Sequence, residues 1–149
     1  MTTKEYLSQI WRMNKAIKNK LAELQQTKEL YNSIPSNFRE SERVCSTPDP
    51  DKLGSAYVKI ESIENEINEM VDKYVDEKKV IVGQIERMSD EFYYEVLFGK
   101  YILNKSLEEI AAEIPCSYRN VTRLHGNALI SFEKCYGSTY LDKKIFYLS

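Results

Sequence analysis

Histidine, cysteine, glycine and proline are all scarce in this chain. Among 149 residues there is one histidine, His125, with three cysteines, five glycines and four prolines. A lone histidine with no cysteine at ligand spacing leaves no usual zinc set. Cys45, Cys116 and Cys135 are odd in number and far apart, with no C-x-x-C. They are expected to be reduced structural thiols rather than a disulfide framework. There is no glycine-rich phosphate loop, and neither an enzyme nor a bound cofactor or metal is expected. No run of ~18 apolar residues occurs, so no membrane span is expected. The opening MTTKEYLSQIWRMNK has neither the apolar stretch nor the small-residue cleavage site of a signal peptide, which points to the cytoplasm.

What remains is a helix former's composition, 42% apolar and 30% charged, and an all-α fold is expected. The net charge of −2 is unevenly spread. Residues 1–50 carry eight basic and six acidic side chains, residues 51–88 six and nine, and residues 89–149 seven and eight. From Ser117 to Phe132 there are two arginines and no acid, so a local basic face is compatible with a mildly acidic protein.

Apolar residues at three- and four-residue steps predict a first helix over Lys4–Tyr31, through Leu7, Ile10, Trp11, Ile17, Leu21 and Leu24. Its polar face is basic. "NSIPSNFRESERVCSTPDP", residues 32–50, has three prolines and no sustained period, and reads as a long connection. It is either mobile or laid along the helices through Ile34, Phe38 and Val44. Asp51–Met88 reads as one long helix whose stripe of Leu53, Tyr57, Ile60, Ile63, Ile67, Met70, Tyr74, Ile81, Ile85 and Met88 approaches a coiled-coil seam. Gly83 is a candidate kink. The carboxylates Glu61, Glu64, Glu66, Glu69, Asp72 and Asp76 read as a solvated face. An antiparallel hairpin with the first helix buries most of the stripe, and the surplus suggests a homo-oligomer, most simply a dimer. Residues 1–88 are therefore read as an assembly region and 89–149 as a separate unit.

In that second unit Ser89 or Asp90 caps a helix to about Tyr101, with Phe92, Val96 and Leu97 facing in. Ser106 and Glu109 form a capping box. The helix they open ends near Ile114-Pro115, and Ser117 caps a last helix with Val121, Leu124, Ala128, Leu129 and Phe132 inward. Tyr140, Leu141, Ile145, Phe146, Tyr147 and Leu148 follow as an apolar tail. Two short helices joined by a tight turn make a helix-turn-helix pattern. Ala111 is small where the helices cross, and Ile110, Ile114, Val121 and Leu124 form the wedge. The second helix presents Ser117, Tyr118, Arg119, Thr122 and Arg123 near its start. Those groups suit base edges and phosphates. Asn120 is placed to touch adenine or to support the first turn, and His125 is expected at the surface, toward phosphate.

The stretch LFGKYILNKSLEEIAAEIPCSYRNVTRLHGNALISFE, Leu97–Glu133, resembles the helix-turn-helix of sigma factor region 4. It is also similar to a family of small proteins of Gram-positive phages and prophages, through the SxEEIA half and SYRxVxRLHGxAL. Regulators of late transcription of the ArpU and RinA type are related. The resemblance implies a double-stranded DNA-binding phage or prophage transcription regulator in a bacterial host cell, with RNA polymerase as a further possible partner. Two residues depart from the pattern. Lys100 stands where arginine is more usual, and Pro115 stands where such turns usually carry a glycine at positive φ, a geometry proline cannot take. Two rival readings remain at this level: an adaptor that binds RNA polymerase or a repressor, and a DNA-packaging component like a small terminase.

Overall fold

The structure is a computed structural model that describes the backbone of residues 1–40 and 50–142 and the side chains of 1–33 and 54–142. The described residues are all-α: α1 Thr3–Glu40, α2 Pro50–Glu86, α3 Glu91–Leu97, α4 Leu107–Glu113 and α5 Tyr118–Tyr136. A π-helical turn, Phe98–Ile102, continues α3, and a 3₁₀ turn, Gly137–Thr139, follows α5. Among the described residues no helix is long and apolar enough to cross a membrane.

The first helix is longer than its apolar period. It runs through Asn32 and Ser33 and across Pro35 to Glu40, so the connection expected over residues 32–50 is shortened at its start. A proline inside a helix gives up the bond to the carbonyl four residues back, here that of Tyr31, and destabilises the helix at that point. Ser33 stays within the helical path by donating its hydroxyl to the Leu30 carbonyl at 2.7 Å. At the other end Pro50 opens α2, a first-turn position where a missing N–H is harmless. The expected placements of Ile34, Phe38, Val44, Cys45 and Leu53, and of Ile145, Phe146, Tyr147 and Leu148, lie outside the described side chains.

The chain divides into two compact units, Asn14–Lys73 and Met1–Met13 with Tyr74–Ser149. In the first, Ile17 of α1 and Ile63 and Ile67 of α2 are buried. Lys20 pairs with Glu66 at 3.1 Å and Lys28 with Glu64 at 2.9 Å. As the α1 number rises the α2 number falls, so these two stretches run antiparallel. The pairs are partly to fully exposed and contribute little beyond register. Tyr57, on the expected stripe, is 60% exposed, and Leu21, Leu30 and Val58 are exposed as well.

The second unit differs from the division at residue 88 that periodicity suggests. Its main core joins Tyr6, Leu7 and Ile10 of α1 and Ile81 and Ile85 of α2 to Leu97, Tyr101, Ala128, Phe132 and Tyr140. The Tyr6 hydroxyl donates to Gln84 Oε1 at 2.9 Å. Residues from Leu97 to Tyr140 thus share their core with the start of α1 and the end of α2. Gly83, the expected kink, lies inside the continuous helix α2, and a Cβ built there meets nothing within 4 Å. Gly83→Ala is therefore expected to stabilise the protein by about 1 kcal/mol, the helix-interior difference between the two residues. Thermal unfolding checks it, and an unchanged or lowered midpoint would contradict an open, regular helix interior at this point.

Candidate nucleic-acid interface

Local chemistry sets each boundary of the helices around the site. Asp90 Oδ1 accepts from the amides of Phe92 and Tyr93 and opens α3. Val96 and Leu97 are fully buried as expected, but Phe92 is 53% exposed. Val96 belongs to the small cluster with Ile110 and Val121; Phe92 sits one turn earlier, past the end of that cluster. The π turn closes with the Leu103 amide on the Phe98 carbonyl at 3.1 Å and the Lys105 amide on the Gly99 carbonyl at 3.0 Å. Gly99 lies against Ile110 of α4: a Cβ there would stand 3.2 Å from two of its side-chain carbons, so the absence of a side chain permits this close approach. Asn104 takes the left-handed conformation, φ 55°, which asparagine tolerates better than most residues, and it releases the chain into the Ser106 cap. The capping box is complete. Ser106 Oγ accepts from the Glu109 amide at 3.2 Å, and Glu109 Oε2 accepts from the Ser106 amide at 2.8 Å.

The α4–α5 turn accommodates Pro115 without positive φ. Ile114 is extended at φ −88° and ψ 116°. The Cys116 amide donates to the Ile114 carbonyl at 2.5 Å across the proline. A bond spanning a single central residue of negative φ is an inverse γ-turn, and proline's fixed φ suits it. The turn is thus closed without a glycine. Beneath it Leu107, Ala111, Ile114, Cys116 and Leu124 pack around Ile110 and Val121, the expected wedge.

Ser117 Oγ accepts from the Asn120 amide at 3.2 Å, and the Ser117 carbonyl accepts from the Val121 amide at 3.0 Å. The first amides of α5 have no intrahelical acceptor and carry the positive end of its dipole. Tyr118, Arg119, Thr122 and Arg123 are exposed around this end. The Thr122 hydroxyl is turned back onto the Tyr118 carbonyl at 2.9 Å. Asn120, half-buried, accepts from Arg123 Nη2 at 2.8 Å and Nε at 3.3 Å. Residue type alone does not announce this pairing, although the i, i+3 spacing permits it. It holds the Arg123 guanidinium in place and leaves donors free. Among the described residues no carboxylate pairs with Arg119 or Arg123. The nearby acid Glu113 is bound by Lys105 at 2.7 Å, and Glu109 is committed to its cap.

His125 departs from the expected surface position. It is 8% exposed and not at the surface. It falls on the line Val121, His125, Ala128, Phe132, whose helical spacing turns all four into the core. Its Nε2 lies 2.9 Å from the Tyr101 hydroxyl. Burial, with the charges of Lys100 and Lys4, pushes its pKa down to about 4, and burial pushes Tyr101 up to about 12. At neutral pH this is an uncharged hydrogen-bonded pair. Six of the seven expected residues are thus gathered at the start of α5, with His125 behind them as a support.

Comparison of the chain with family models, with characterised proteins and with solved structures yields no match.

Proposed function

We propose that this chain binds double-stranded DNA sequence-specifically, with α5 as the helix that enters the major groove, and serves as a phage or prophage transcription regulator. The observation that carries the reading is the pair Arg119 and Arg123, exposed one turn apart at the start of α5, with Arg123 held by Asn120. An arginine pre-positioned near a helix N-terminus suits bidentate contact with guanine, and free amides beside it suit a phosphate. The likeness of the Leu97–Glu133 stretch to sigma factor region 4 supports the same reading. The apolar side chains Leu21, Leu30, Tyr57 and Val58, exposed on the Asn14–Lys73 unit, support association with a second copy. A dimer would set two recognition helices ~34 Å apart on a two-fold or repeated site.

One observation favours a second reading, a protein adaptor for RNA polymerase or a repressor: residues 89–149 carry seven basic and eight acidic side chains, a weak charge for holding phosphates.

Capture of genomic fragments by the purified protein at two salt concentrations, beside Arg119→Ala/Arg123→Ala, tests the choice. Each base-reading arginine is worth ~1–3 kcal/mol, so the double variant should lose at least ~30-fold in affinity. Enrichment of a few loci, weakened by salt and lost in the variant, is the expected result. No enrichment at either salt would sink the DNA reading and favour the adaptor.

A further inference from the structure

Gly126 sits in the interior of α5, at a position where glycine costs stability relative to alanine. The fold offers no reason for it. A Cβ built on Gly126 meets nothing within 4 Å, and no positive φ is recorded for any described glycine. Contrast Gly99, where Ile110 fills the space a side chain would need. Openness alone does not single out Gly126, since Gly83 of α2 is equally open. Its register does. Arg119, Arg123 and Gly126 follow one another at i, i+4 and i+7, which places them on one line along the helix. The line lies opposite the buried residues Val121, His125, Ala128 and Phe132. Seven residues from Arg119, Gly126 lies ~10 Å further along the axis, comparable to the ~12 Å width of the major groove.

We propose that Gly126 is the point where a sugar–phosphate strand bordering the groove presses closest on α5. The missing side chain lets the helix backbone approach the strand while Arg119 and Arg123 reach the base edges. This rests on the DNA reading above, and deepens it by naming a surface that excludes bulk instead of contributing a contact. The glycine is then a compromise in which free-protein stability is lower so that the bound helix can seat fully.

The test is to measure thermal midpoint and DNA affinity for Gly126→Ala and Gly126→Leu, with Gly83→Ala as a control and the fragment bound by the unaltered protein as the probe. Alanine at either position should raise the midpoint by about 3 °C. Only the Gly126 variants should lose affinity, about tenfold for alanine and about a hundredfold for leucine, as expected for an overpacked contact. Stability raised and binding lowered by one substitution is a signature that a purely structural role cannot give. If both Gly126 variants bind within about twofold of the unaltered protein while Arg119→Ala/Arg123→Ala does not bind, this inference is wrong and the DNA reading stands. A lowered midpoint in Gly126→Ala would also overturn it, because the fold itself would then require the glycine. If the unaltered protein captures no DNA, both fall together.

Discussion

Tyr140→Ala is expected to destabilise the protein by about 3–5 kcal/mol, the range for removing a large buried aromatic ring. Tyr140 is fully buried although it lies beyond the last long helix. Its ring stacks on Tyr6 with centroids 4.3 Å apart and planes 10° from parallel, and it flanks Phe132 at 6.2 Å. Its hydroxyl donates to Thr3 Oγ1 at 2.9 Å, and Thr3 donates in turn to Glu133 Oε2 at 2.6 Å. A chain of hydroxyls ending on a carboxylate is stronger than its links taken singly. Tyr140→Phe separates the two contributions: it keeps the stacking and should cost only about 1 kcal/mol. Denaturant unfolding of both variants distinguishes them. A Tyr140→Ala loss below about 1 kcal/mol would mean that the stretch after α5 does not belong to the core.

The second large effect is a loss of stability in acid that traces to His125. The unfolded chain takes up the histidine proton near 6.5, whereas the buried ring resists it until about 4. Between those values protons favour the unfolded chain. The contribution is therefore fully present above pH 6.5 and is lost progressively as pH falls to about 4. At about 1.4 kcal/mol per tenfold change in proton affinity, it amounts to roughly 3 kcal/mol. Tyr101 bounds the other side. Burial raises it from 10.0 to about 12, so its contribution is present below pH 10 and lost as pH rises through 12. The same 2.9 Å bond is thus weakened from both directions. Carboxylates titrate in the acid range as well, so the informative quantity is the difference between the protein and His125→Gln, which retains a polar group without the titration. The stability of the unaltered protein should fall by roughly 3 kcal/mol relative to the variant between pH 7 and pH 4. Parallel curves would show that His125 is not held neutral.

The Ser106–Glu109 box, the Asp90 and Ser117 caps and the wedge around Val121 were legible because each is decided within a few residues of sequence. The burial of His125 was written in the same period as Val121 and Ala128. Its polar ring suggested an outward face, yet phase outweighed polarity once Tyr101 supplied a partner. Helix α1 passing Pro35 was not legible, since backbone continuity there overrides the local cost of proline. The core contacts of Tyr6, Leu7 and Ile10 could not be read at all. A helical stripe shows that a face is buried but not against which distant segment, and Tyr6 and Tyr140 are separated by most of the chain. Arg119 and Arg123 were found by residue type and cap position, while the clamp of Asn120 on Arg123 needed side-chain geometry.

The shared core of the two chain ends has a consequence for synthesis. Tyr6 leaves the ribosome early and has no stacking partner until Tyr140 follows, 134 residues later. At ~5–20 residues per second that interval is on the order of ten seconds. During it Leu7 and Ile10 lack the core partners that Leu97, Tyr101, Ala128, Phe132 and Tyr140 later supply. A chain stopped before Phe132, however complete its α1 and α2, would lack both Phe132 and Tyr140 and so could not complete that core. The core that supports α5 is therefore complete only once Tyr140 has been made, and products truncated before it should turn over quickly.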